Sequence, residues 1–173
     1  MTMPFSKTSH IDIIEQIAKG MQEAGMNQRY LELGISKAKC FNRVAPYFEF
    51  SHAVDISRKS FDYIKENSFI VTFEYTTDEY FSFHKNNMLY KCIYFDMIFI
   101  DACHKYENVL NDFINSYSVI KPGGIIILHD TFSPCKEYDE HCQDAYKIRD
   151  YLKNNNFEAV TLPFYFGLTI VRK

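Results

Sequence analysis

In the stretch FDMIFIDACHKYENVLNDF, residues 95–113, an apolar run leads directly into residues that can do chemistry. Met97, Ile98, Phe99 and Ile100 suit a strand covered on both faces. The run ends on Asp101, and His104 follows before a helical pattern resumes. A carboxylate and an imidazole at the mouth of a sheet can hold and move a proton at neutral pH. A plainer role also suits them, with Asp101 opening a turn and His104 on the surface. A second group of residues has the character of a binding site. Glu32 and Gly34 form an E-x-G pair in YLELGISKAK, and Asp55 ends SHAVD about 20 residues further on. An acid in that place can accept hydrogen bonds from both hydroxyls of a ribose. Ser36 and Ala38 stand where a dinucleotide loop would bring further glycine, and no Gly-Lys-Ser/Thr of a P-loop is present. An adenosine ligand without a diphosphate therefore fits better than NAD or ATP. Taken singly, E-x-G also suits a tight turn, and Asp55 a residue opening a helix ahead of Ser57.

The elements that must position these residues alternate along the whole chain. SHIDIIEQIAKGMQEAG places Ile14, Ile17, Ala18 and Met21 at helical spacing. Strands are predicted in RYLELG, SHAVDI, FIVTFEY, FDMIFIDA and IIILHD, with helices between them. One of those helices is predicted to be capped by Ser57 and another opened by Asp78. YENVLNDFINSYSVI is a further helix, in which Glu107, Asn108 and Asp112 read as first turn and solvent face. KPGG reads as a turn before the fifth strand. DAYKIRDYLKNNN is the last helix, and FEAVTLP with LTIVRK gives a closing hairpin with an antiparallel edge strand. Alternation of this kind implies βαβ crossovers and a mainly parallel sheet with helices on both faces. Ligands in such sheets bind beyond the carboxyl ends of the strands. Gly34, Asp55, Asp78, Asp101 and Asp130 each fall at or just past such an end.

YLELG, AVDIS, TTDEYF, FDMIFIDACHKYENVLNDF, IKPGGIIILHDTF and GLTIVRK together resemble class I S-adenosylmethionine-dependent methyltransferases. Residues 29–173 carry the resemblance, which is greatest to the small metal-dependent O-methyltransferases, including those acting on macrolide sugars. Its most specific part is D-x-x-H, followed about one βα unit later by P-G-G and an acid at the next strand end. The resemblance implies a Rossmann-like, doubly wound sheet of seven strands in the order 3-2-1-4-5-7-6, with one of the last two antiparallel. It further implies that Glu32, Gly34 and Ser36 border the methionine part of S-adenosylmethionine. Asp55 would bind the ribose, Ile56 would pack on the adenine, and Thr77 and Asp78 would lie at its edge. Asp101 and Asp130 match metal ligands, with His129 in the place where a second carboxylate often stands, and His104 matches the catalytic base.

Those roles make chemical sense together. An aliphatic hydroxyl barely ionises at neutral pH, so methyl transfer to it gains from a divalent cation and a base. Mg²⁺ takes hard oxygen ligands and keeps several waters, so Asp101 and Asp130 would suffice to hold it. His129 could instead act from behind the ligands. The acceptor expected is a small-molecule or sugar-bearing hydroxyl compound. Because only a short segment precedes the first strand, its selection would fall to neighbouring loops or to a second subunit of a homo-oligomer. Two other classes remain open: an NAD-dependent sugar-modifying enzyme, and a non-catalytic module that kept the fold.

Composition bounds these readings. The length, 173 residues, suits a single domain over 1–173. A net charge of -3 gives no footprint for nucleic acid, and no basic run suggests a membrane surface. MTMPFSKTSH has no apolar signal core, so a cytoplasmic protein is expected. Five cysteines then read as reduced thiols, and Cys103, Cys135, His141 and Cys142 match no standard zinc spacing.

Overall fold

The computed structural model of the chain describes residues 9–65, 69–132, 143–163 and 166–173. Helix α1 (His10–Glu23) precedes β1 (Arg29–Leu33). Then come α2 (Phe41–Val44) with a 3-10 turn, β2 (Phe50–Asp55), α3 (Arg58–Phe61) and β3 (Phe69–Glu74). They are followed by α4 (Thr77–Asn86), β4 (Phe95–Ile100), α5 (Tyr106–Val119) and β5 (Ile120–His129). The last elements are a 3-10 turn (Ala145–Lys147), α6 (Ile148–Asn154), β6 (Glu158–Leu162) and β7 (Leu168–Arg172).

All seven strands join one sheet in the order β3-β2-β1-β4-β5-β7-β6. The first five pair in parallel, and β7 runs antiparallel to both β5 and β6. The antiparallel strand is thus not the edge strand that the closing hairpin suggested. β7 buries Leu168, Thr169 and Val171 and pairs on both sides, whereas β6 leaves Glu158, Ala159 and Val160 exposed and takes the edge. Strand order reverses between β1 and β4, which opens a crevice above their carboxyl ends.

Each face of the sheet has its own apolar cluster. Leu31, Leu33, Ile98, Ile100 and Leu128 pack under Tyr80 and Phe81 of α4, Val109 and Phe113 of α5, and Ile148 and Leu152 of α6. On the other face Tyr30, Met97, Phe99 and Ile127 meet Ile14, Ala18 and Met21 of α1 and Phe41 and Val44 of α2. The alternation along β1 and β4 therefore sends successive residues into opposite layers. Cutting Phe113, which is fully buried, to Ala would cost about 3–5 kcal/mol.

Local chemistry departs from the sequence expectations in four places. Thr76, not Asp78, caps α4, through a reciprocal box with Glu79. The Ser57 side chain makes no cap bond at α3, and its N–H donates to Asp55 instead. KPGG is not a turn ahead of β5 but lies within it, beside a register shift at Phe95 and Met97. There Lys121 Nζ pairs with the buried Asp96 at 2.8 Å, and a side chain on Gly124 would meet the Asp96 carbonyl at 2.9 Å. Finally, Asp112 is buried against α4, not solvated. Cys135, His141 and Cys142 of the zinc pattern lie outside the described residues.

Candidate active site

Strand register builds the site. Leu33 pairs with Val54 on one side and Ile100 on the other, and Ile100 pairs with Leu128. One residue beyond that row stand Gly34, Asp55, Asp101 and His129, spaced by neighbouring strands that run about 4.8 Å apart. Gly34 is there for space as well as conformation. Its φ is 84°, and a Cβ would lie 2.4 Å from the Asp101 carbonyl oxygen. Asp130, one step further, has φ 56°, an uncommon left-handed conformation of the sort that clusters at functional sites.

At the ends of β4 and β5, acids and imidazoles converge. His104 Nε2 lies 2.9 Å from Asp130 Oδ2 and 3.9 Å from Asp101 Oδ1. One ligand atom from each of Asp101, His104 and Asp130 lies within 4.8 Å of the others. His129 stands beside this set, with its Nδ1 3.1 Å from Asp101 Oδ1 and 3.4 Å from Asp130 Oδ1. Two carboxylates and an imidazole form a donor set for a divalent cation; the oxygens suit Mg²⁺ and the nitrogen adds affinity for Mn²⁺ or Zn²⁺.

Behind the cluster, His10 from the start of α1 packs on His129 with ring centroids 4.1 Å apart and planes tilted by 33°. Burial opposes a charge on His129, but the bond to Asp101 and the fields of Asp101 and Asp130 outweigh it and raise its pKa. Burial, helped by His129, lowers His10 to about 4 against the partial opposition of the carboxylates. Of the two rings His129 therefore takes the proton first. His10 was not visible as a site residue in the sequence, because nothing local ties the first turn of α1 to the end of β5.

The other half of the row faces the crevice above β1 and β2. Asp55 accepts from Ser36 N–H at 2.9 Å through one oxygen and from Ser57 N–H at 2.8 Å through the other. That pair of bonds fixes the loop after β1, in which Ser36 and Ala38 take φ of 48° and 51°. The loop thus has the left-handed shape that glycines usually supply, without the glycines. Ile56 is 74% exposed beside it. Thr77 opens α4, and Asp78 Oδ1 accepts from Asn111 Nδ2 of α5. Glu32 lies elsewhere: it is buried, and accepts from the Tyr30 hydroxyl and the Phe41 N–H. Burial pushes its carboxyl up to about 8, so it presents little negative charge at neutral pH.

Against known proteins, a family model described as a methyltransferase domain matches residues 31–131. No curated protein matches the chain. Among solved structures, an O-methyltransferase from Bacillus cereus in complex with S-adenosylhomocysteine superposes with a TM-score of 0.69 at 17% identity, covering 98% of this chain and 84% of that one. TomG, an O-methyltransferase from Streptomyces achromogenes involved in tomaymycin synthesis, gives 0.70 at 12% identity over 95% and 81%. MycE, a methyltransferase of the mycinamycin biosynthetic pathway solved with Mg, S-adenosylhomocysteine and mycinamycin VI, gives 0.63 at 14% over 97% and 55%. Likeness at these identities extends to the fold, and the chain spans about half the length of MycE.

Proposed function

The chain belongs to the family of methyltransferase domains, and we propose that it moves a methyl group from S-adenosylmethionine to a hydroxyl oxygen of a small or sugar-bearing acceptor. The observation that carries this reading is the convergence of Asp101, His104 and Asp130 beside the Gly34 loop, in a fold of this family. Bound S-adenosylmethionine supplies an electrophilic methyl. Asp101 and Asp130 would hold a divalent cation, which would lower the pKa of the acceptor hydroxyl.

The chain's own groups do the rest. Each Asp55 oxygen accepts one backbone N–H and keeps a second lone pair, so both ribose hydroxyls can donate to it. Ile56 offers an apolar face for the adenine, with Thr77 and Asp78 at its edge. Gly34 and Ser36 let the backbone approach the methionine part, while Glu32 anchors the far end of that loop by accepting from the Phe41 N–H. His129 holds Asp101 in orientation through Nδ1. With His104 Nε2–H donating to Asp130, its Nδ1 carries the lone pair that takes the acceptor proton. Asp130 fixes that tautomer.

The competing NAD-dependent reaction lacks a glycine-rich diphosphate loop, and the family match speaks against it. The test is formation of S-adenosylhomocysteine from S-adenosylmethionine with a panel of catechol and sugar hydroxyl acceptors. Turnover is expected to stop in EDTA and return with Mg²⁺. Unchanged activity in EDTA would leave proton removal by His104 alone as the mechanism. No turnover with any acceptor, despite cofactor binding, would favour a non-catalytic module.

A further inference from the structure

Asp112 is the buried acid that none of these roles uses. It sits on α5, is 1% exposed, and neither carboxyl oxygen meets hydrogen-bond geometry. An unsatisfied buried carboxyl costs free energy and needs a reason. The Thr77 hydroxyl is the polar group that approaches it, and Asp78 is the charged group whose field reaches it. Its chain neighbour Asn111 holds Asp78 Oδ1. Consecutive residues of α5 thus address both residues that open α4.

We propose that Asp112 is a positioning residue for the cofactor subsite: it sets the first turn of α4, and through Thr77 and Asp78 the surface that borders the adenine. This rests on the reading above that Thr77 and Asp78 lie at the adenine edge. As the neutral acid, Asp112 exerts no charge on Asp78. As the carboxylate, it draws the Thr77 hydroxyl as a donor and places a second negative charge behind Asp78. Burial is the main cause that lifts its pKa to about 7, with Asp78 adding to the rise and Thr77 opposing it. The second charge behind Asp78 disfavours the arrangement that borders the adenine, so affinity is full below that value and falls as pH rises through it.

The experiment is calorimetric titration of S-adenosylhomocysteine into the full chain between pH 5.5 and 8.5, for wild type and Asp112→Asn. Wild-type affinity is expected to weaken roughly three- to tenfold between pH 6 and 8, with an inflection near 7. Asp112→Asn keeps the shape but cannot ionise. It should bind as wild type does at low pH and lose that inflection, a change that a merely structural role would not produce. Tight binding with no inflection in wild type, or the same inflection in Asp112→Asn, would overturn the role of Asp112 alone. Failure of wild type to bind at any pH would overturn the cofactor reading and this proposal with it.

Discussion

At Asp55, Asp101, Asp130 and His104 the account can be tested one side chain at a time. Asp55→Ala removes a charged acceptor for two hydroxyls and the clasp on the Ser36 N–H. Binding of S-adenosylhomocysteine should weaken by roughly 1.5–3 kcal/mol in calorimetry; equal affinity would take Asp55 out of the site. Asp101→Asn and Asp130→Asn should each behave like metal-free enzyme in turnover assays while still binding the cofactor. His104→Ala should keep the fold, the cofactor and most of the cation affinity, and lower kcat by about 10²–10⁴. Its pH–rate profile should lose the imidazole inflection. A large fall in cation affinity instead would make His104 a ligand, a role its position in the acid cluster also allows.

Among the elements, the loop joining β1 to α2 matters most, because its shape depends on one missing side chain. Gly34→Ala would drive a methyl into the backbone of residue 101 at a φ that disfavours any Cβ. It should cost at least about 1–3 kcal/mol in denaturant unfolding and shift Asp101 within the acid cluster. Near-wild-type stability and cation affinity would mean the two strand ends separate easily. Element types and their order were legible because apolar runs and helical spacing reflect a sheet buried on both faces. What stayed hidden was tertiary in origin. Asp112 looked solvated because α5 was read without α4 beside it, and KPGG looked like a turn because its register shift is fixed by Asp96 on another strand. The acids and the histidine at the strand ends were legible for the opposite reason, since the topology itself delivers those ends to one row.

Across the whole molecule, buried neutral histidines set an acid limit. His52 lies among Phe73, Tyr80, Tyr90 and Phe95, with Nδ1 2.8 Å from the Tyr80 hydroxyl. Burial first, then the fields of His84 and Arg29, lowers its pKa to about 4. A depressed histidine contributes stability that is complete above about 6.5 and is lost as pH falls toward 4, on the order of 3 kcal/mol for the full shift. Thermal unfolding should therefore drop through that window, and His52→Phe should shallow the drop while costing about 1 kcal/mol at pH 7 for the unpaired Tyr80 hydroxyl. An unaltered acid limb in that variant would assign the loss to other groups. No helix among the described residues is long and apolar enough to cross a membrane. The central claim is that this sheet binds S-adenosylmethionine at the ends of β1 and β2, beside the acid cluster of β4 and β5. Calorimetric titration of S-adenosylhomocysteine and of NAD into the purified chain tests it most directly. Saturable binding of S-adenosylhomocysteine with no heat from NAD is the expected result; binding of NAD with none of S-adenosylhomocysteine would contradict it.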